Sequence, residues 1–249
     1  MKLSAVIITK DVARDLRRCL ASLDFVDEIV VLDSGSSDET VAVAEAAGAK
    51  VFHSTDWPGF GPQRQRAQQY AQGEWLLWVD ADEVITPALQ ASIINALDND
   101  KGGTVYRFNR LSQFLGQWIY HSGWHPDRIV RLYRRNEYRY DDAQVHEKVA
   151  CAGAKVVDLP GVLEHYTCQD LAQFQQKQLR YARQWAEQRA ARGKKAGLAS
   201  ILMRPAFRFI RQYLLKGGFL DGLGGFILAK LEAQYVFNKY VILWALSRR

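Results

Sequence analysis

The sequence predicts an α/β fold: a Rossmann-like, mostly parallel sheet with flanking helices, plus a basic helical C-terminal region. Three observations carry this. Short apolar runs alternate with helical patterns over the first hundred residues, the β-α-β order that builds a parallel sheet. Ser-, Gly- and Asp-rich turns follow several of those runs, at the strand ends where open α/β sheets bind ligands. Charge is also divided unevenly: residues 170–249 hold 15 Lys or Arg against four acids, a net of +11, which leaves −5 for residues 1–169. Opposite charges in the two regions suggest two tasks.

The elements follow in order. Residues 3–9 read as a buried strand and 12–23 as a helix with Leu16, Leu20 and Leu23 along one face. A second strand, 28–32, runs into Asp33-Ser34-Gly35-Ser36-Ser37-Asp38. Those Ser and Asp residues offer N-caps to an alanine-rich helix over 40–47, closed by Gly48. A third strand covers 49–53. The loop Pro58-Gly59-Phe60-Gly61-Pro62 leads into a helix over 63–71, and a fourth strand covers 75–79. A helix over 88–97 and strands over 104–109 and 128–134 follow, with a Trp- and His-rich loop around Trp118 to Trp124 between those two strands. A further strand approaches Glu164-His165-Tyr166, and from Asp170 the chain turns helical. The expected domains are 1–169, divided into halves at 1–100 and 101–169, and a basic amphipathic helical region over 170–249.

At 249 residues with 48% apolar and 24% charged residues, the composition is that of an ordinary globular chain. Three cysteines with no Cys-x-x-Cys spacing argue against a disulfide framework and a structural zinc site. The apolar N-terminus is too brief for a signal peptide, and no run approaches the roughly 18 apolar residues a membrane span needs. The expected location is the cytoplasm. No Gly-rich dinucleotide loop, P-loop or Gly-x-Ser-x-Gly elbow is present. His121 and His125 are separated by Gly123, which speaks against a helical metal site. No nucleic-acid-binding motif is found.

The most informative segment is Glu74-Trp75-Leu76-Leu77-Trp78-Val79-Asp80-Ala81-Asp82-Glu83, an apolar strand that ends in closely spaced carboxylates. Negative charge at the poorly solvated end of a buried strand is costly without a cation. A Mg²⁺ or Mn²⁺ that takes one or two carboxylates and completes its shell with water and phosphate oxygens resolves that cost. A solvated acidic turn is the other reading of such a pair.

Lined up, Val31-Leu32-Asp33-Ser34-Gly35-Ser36-Ser37-Asp38-Glu39-Thr40, Gly59-Phe60-Gly61-Pro62-Gln63-Arg64 and Trp78-Val79-Asp80-Ala81-Asp82-Glu83 resemble the nucleotide-sugar half of a family 2 glycosyltransferase of GT-A fold. Arg131-Leu132-Tyr133-Arg134-Arg135, Val145-His146-Glu147-Lys148-Val149 and Glu164-His165-Tyr166 continue the likeness. The segments 217–225 and 237–240 are similar to those of lipopolysaccharide inner-core β-1,4-glucosyltransferases, so the likeness covers nearly the whole chain.

The resemblance implies an inverting, metal-dependent transfer of glucose from UDP-glucose to a heptose of a lipid-linked lipopolysaccharide core. A transferase of another hexose or N-acetylhexosamine, or a nucleotide-sugar-binding scaffold without turnover, are the alternatives. Asp33 falls where the family reads the base, since a carboxylate can accept the uracil imide N–H; a turn residue is its other reading. Thr9 and Asp11 lie near that base site, though Asp11 also suits helix capping, and Asp38 suits an N-cap. Asp80 would face the ribose or a metal-bound water, and Asp82 would ligate the metal bridging the phosphates. Glu83 would support the site, and His165 would complete the metal shell or satisfy a core hydrogen bond. Glu147 is the expected general base, with a surface charge as its other reading. Gln63 and Arg64 fit donor recognition. Gln65 departs from the family, which has Asn there.

Arg131 is expected on phosphate; Arg128, three residues away, reaches the same side only if the strand twists or bulges. Trp118, Trp124 and His125 suit either acceptor stacking or core packing. The tail interleaves Arg204, Arg208 and Arg211 with Phe207, Ile210, Leu214 and Leu215, which suits an anionic membrane surface or helices packed on the sheet. The expected partners are therefore a UDP-glucose donor, the lipid-linked core acceptor and the inner face of the inner membrane, with no nucleic acid.

Overall fold

The computed structural model describes residues 2–100 and 102–248. The strands are β1 (Leu3–Thr9), β2 (Glu28–Asp33), β3 (Lys50–His53), β4 (Trp75–Trp78), β5 (Glu83–Ile85), β6 (Thr104–Phe114), β7 (Gln117–Trp118), β8 (Asp127–Arg134) and β9 (Lys155–Cys168). The helices are α1 (Ala13–Ala21), α2 (Thr40–Ala46), α3 (Phe60–Tyr70), α4 (Pro87–Asn99), α5 (Leu171–Ala191), α6 (Leu198–Ile210) and α7 (Gly222–Leu246). The strand order is β3-β2-β1-β4-β8-β6-β9-β5, with β7 paired to β6. β3, β2, β1 and β4 are parallel, as the β-α-β pattern predicts. β8 joins β4 antiparallel, and the pairs β6–β8, β6–β7 and β5–β9 are antiparallel too.

The chain forms two compact units. The first comprises residues up to Arg110 together with Asp127–Tyr166; the second comprises Leu111–Pro126 with the chain from Thr167 onward. In the first unit the parallel strands are apolar on both faces because helices cover both. Leu3, Ala5 and Ile7 face Leu16, Leu20 and Leu89 on one side, while Val6, Leu76 and Trp78 meet Ala67 and Ala71 on the other. α3 starts three residues earlier than the pattern indicates, at Phe60. Its first turn is held by the neighbouring segment: Phe60 N–H donates to Gln144 O and Gly61 N–H to Ala143 O, each at 3.0 Å. A Cβ on Gly61 would lie 2.1 Å from Asp141 O, so only glycine permits this approach.

In the second unit Phe114, Ile119, Cys168 and Leu228 form a buried cluster joined by Trp124 and Phe174. That packing draws the 111–126 excursion to the helices, a grouping that apolar periodicity within 101–169 does not reveal. Asp221, just before α7, accepts the Tyr120 and His121 N–H groups at 3.0 and 2.9 Å. A Cβ on Gly225 would lie 1.9 Å from Gly218 O, which accounts for one glycine of the 217–225 segment. Among the described residues no helix is long and apolar enough to cross a membrane.

Candidate active site

The carboxyl ends of β1, β2 and β4 bring two clusters together. At β2, Asp33 is buried and fully engaged. Its Oδ1 accepts the Thr9 hydroxyl at 3.0 Å and the Ser36 hydroxyl at 2.5 Å, and its Oδ2 accepts the Gly35 and Ser36 N–H groups, both at 2.9 Å. A carboxylate offers about four acceptor positions, so Asp33 organises this turn, and a base edge would have to displace one of the two hydroxyl rotors. Asp11, in a left-handed conformation, does not cap its own helix. It accepts the Ser37 N–H at 2.7 Å and the Ser37 hydroxyl at 3.0 Å, tying the β1–α1 and β2–α2 loops together. Those bonds hold its carboxyl below the usual range. Asp38 serves two helix starts at once, accepting from Thr40 N–H and Ala13 N–H. Gln63 is buried, and its amide donates to Ser34 Oγ at 3.1 Å.

The second cluster centres on Asp80. Arg64 Nη2 donates to Asp80 Oδ1 at 2.6 Å, and Arg131 Nη2 pairs with Asp80 Oδ2. Burial works against the Asp80 charge, but the Arg131 and Arg64 guanidiniums hold its carboxyl far below the usual range. Arg64 also donates from Nε to Glu147 Oε1 at 2.9 Å, so one guanidinium ties strand β4 to the Glu147 segment. Its Cζ lies 5.3 Å from the Trp78 ring centroid and 5.0 Å from that of Tyr140. Arg64 Nη1 is buried with no partner among the described residues.

Glu83, fully buried, receives Arg131 Nη2 at 3.0 Å and Arg110 Nη1 at 3.1 Å, and it accepts the Asp80 N–H at 2.9 Å. It holds the Asp80 turn through that backbone bond. β5 and β9 place Glu83 opposite His165 in register. His165 Nε2 thereby lies 3.3 Å from Asp82 Oδ2. Burial opposes the Asp82 charge, yet the His165 contact lowers its carboxyl below the usual range.

Among the described residues no group of three or more His, Cys, Asp or Glu could hold a metal ion. Asp80 has both oxygens on arginines, which leaves the half-buried Asp82 carboxylate and the His165 imidazole it contacts as the candidate ligands. An oxygen and a nitrogen ligand suit a hard or borderline divalent ion whose shell is finished by water and phosphate.

Arg128 departs from the site: it is exposed and pairs with Asp158 Oδ2 at 3.3 Å, while Arg131 is buried. Side chains three apart on a regular strand point to opposite faces, and Arg131 is the β8 residue that the register against β6 skips, between Val130 and Leu132. Arg110 is a site residue the sequence reading misses. It lies on β6 opposite Asp127 of β8, one residue beyond the strand expected over 104–109. Gln65 holds the segment before Glu147, donating to Tyr140 O and Asp142 Oδ1, each at 2.8 Å.

A half-wound parallel sheet with a paired-carboxylate motif at a strand end, buried arginines around it and a further carboxylate within reach of one of them defines a GT-A-type glycosyltransferase centre. The glycosyl transferase family 2 profile matches residues 4–156, and the chain belongs to that family. It is 31% identical over 242 residues to the lipopolysaccharide core biosynthesis glycosyltransferase LpsC of Rhizobium meliloti, covering 95% of this chain and 90% of that one. It is 29% identical over 265 residues to an uncharacterized glycosyltransferase of Rickettsia felis, covering 97% and 93%. The crystal structure of S. aureus TarS aligns over 100% of this chain and 90% of its own at 15% identity, with a TM-score of 0.48.

Proposed function

We propose that this glycosyltransferase moves glucose from UDP-glucose to a heptose of a lipid-linked lipopolysaccharide core, inverting the anomeric centre. The observation that carries the reading is Arg64, whose guanidinium spans Asp80 and Glu147. It joins the strand-end carboxylates, the donor side, to the carboxylate assigned as base. The likeness to LpsC supports the core acceptor, and the 217–225 segment supports the inner-core assignment.

Arg64 and Arg131 orient the donor diphosphate, with the unpartnered Arg64 Nη1 available to a phosphate oxygen. Asp82 and His165 would hold a divalent ion, which when bound neutralises charge on the departing nucleoside diphosphate. Glu147 takes the acceptor hydroxyl proton as that oxygen attacks the anomeric carbon from the face opposite the leaving group. A phosphate oxygen on Nη1 leaves the Nε bond to Glu147 in place, so one guanidinium serves both donor and base. Thr9, Asp11, Asp33 and Gln63 shape the base and ribose side.

The exposed apolar residues of the C-terminal helices, among basic ones, keep the enzyme on the inner face of the inner membrane beside its acceptor. Radiolabelled nucleotide sugars offered with purified lipid-linked core test the substrate assignment. Transfer from UDP-glucose with inversion is expected. Transfer from another nucleotide sugar alone would replace the donor, and binding without transfer from any donor would leave a nucleotide-sugar-binding protein.

A further inference from the structure

We infer that the C-terminal unit contains a binding site for a phosphate monoester, separate from the donor-diphosphate residues and independent of the glycosyl-transfer reading. The cavity has a volume of about 160 Å³ and is lined by Ser122, Trp124, Arg208, Arg211, Gln212 and Lys216. Gln212 is only 3% exposed, yet neither its amide nitrogen nor its amide oxygen has a partner among the described residues; Arg208 Nε is likewise buried and unpartnered. A buried amide with both ends unsatisfied is rare in native structures, and a ligand that meets both is the direct resolution.

The backbone is built around this point. α6 ends at Ile210 and the next five residues, Arg211–Leu215, form a π-helical turn closed by Lys216 N–H on Arg211 O at 2.8 Å. Such turns break the regular helix pattern and are frequent at functional sites. Here the turn leaves Gln212 buried while Arg211 stays exposed. The 122–124 turn is fastened to the same point, since Ser122 N–H donates to Lys216 O at 2.9 Å.

The charge balance selects an anion. Three cations line the cavity, and only Arg208 has a carboxylate, Glu232 Oε2 at 2.6 Å. Asp221 lies 3.5 Å from the Ser122 hydroxyl, but it already accepts two backbone N–H groups and contacts His121 Nδ1 at 3.0 Å. Arg211 and Lys216 form no ion pair among the described residues. Guanidinium forks, an ammonium and the Gln212 N–H₂ suit a tetrahedral oxyanion. The Gln212 carbonyl, which can only accept, needs a donor, and the remaining proton of a monoanionic phosphate or a hydroxyl beside the ester supplies one. A phosphorylated sugar and a phosphomonoester lipid headgroup share this chemistry.

The test titrates the full chain with inorganic phosphate at constant ionic strength, following binding by calorimetry in the wild type, Arg211→Gln and Gln212→Leu. Arg211 is exposed, so its variant folds even if Gln212→Leu does not. Phosphate affinity should fall at least tenfold in each folded variant. Equal affinity in wild type and Arg211→Gln, or no phosphate binding by the wild type, overturns the site. Glucose 6-phosphate and vesicles containing phosphatidic acid then separate the sources. Competition by the sugar phosphate alone assigns a soluble or glycan-borne phosphate, and retention on the vesicles that Arg211→Gln abolishes assigns the headgroup.

Discussion

Arg64 is the residue on which most of the candidate chemistry turns, because it holds Asp80 and Glu147 in one hydrogen-bonded chain. Glu147→Gln keeps size and hydrogen bonding but cannot take a proton, so turnover should fall by about 10²–10⁴-fold. Donor affinity, measured by calorimetry with UDP-glucose, should stay within a few-fold. A collapse of donor affinity with turnover would move Glu147 to the donor side. The carboxylates of this site were legible in the sequence because they end an apolar strand, where their cost demands an explanation. Their arginine partners were only partly so. Arg64 follows a marked Gly-Pro loop, and Arg131 sits in a recognisable basic strand. Arg110 lies one residue beyond the strand expected over 104–109, and the saturated hydrogen bonding of Asp33 depends on the local turn, which no spacing rule records.

The elements place these residues through a few backbone contacts. α3 is docked against the 141–147 segment by the Gly61 approach, so Gly61→Ala should push that segment and Glu147 aside. A displacement near 1 Å at a catalytic group costs about 10²-fold, and kcat should drop by that order while circular dichroism stays unchanged. Wild-type kcat in this variant would show that the docking has no bearing on turnover.

Glu28 ties the other end of the sheet. Its buried carboxylate accepts from Ser4 Oγ at 2.5 Å, Lys50 Nζ at 2.7 Å and the Gln72 N–H at 2.8 Å. Burial opposes the charge, but these donors lower the carboxyl below the ordinary 4.5. The folded state thus releases this proton more readily than the unfolded chain. The stabilisation is complete above pH 4.5 and is lost as pH falls through the lower folded value. Glu28→Gln should cost about 2 kcal/mol at neutral pH, with the difference from wild type shrinking in acid denaturation series. A constant difference down to low pH would remove the charge from the account. The four parallel strands were legible from periodicity, whereas the antiparallel partners β6, β8 and β9 depend on long-range pairing that no local pattern specifies.

At the scale of the whole molecule, the net +11 of residues 170–249 coincides with an apolar surface. Phe207 is 60% exposed, Leu215 70% and Leu223 72%. Isolated exposed leucines are ordinary, but a run of them among Arg and Lys is the pattern the proposed membrane face requires. Phe207→Ser with Leu215→Ser should release the protein from vesicles containing anionic lipid at moderate salt. Activity on a lipid-linked acceptor should fall more than hydrolysis of free donor. Unchanged cosedimentation across a salt series would assign these residues another role. Composition made the charge asymmetry legible in advance, but not which apolar residues stay outside: Leu228 is buried while Leu223, five residues earlier on the same helix, is exposed.

The central claim, a metal-dependent nucleoside-diphosphate site at the strand ends, is tested most directly by calorimetric titration of UDP into wild type and Asp82→Ala, with Mn²⁺ or with EDTA. Tight binding that requires Mn²⁺ in the wild type and is lost in both metal conditions in Asp82→Ala is the predicted result. Equal UDP affinity in EDTA, or an Asp82→Ala variant that still binds UDP with full Mn²⁺ dependence, would contradict it.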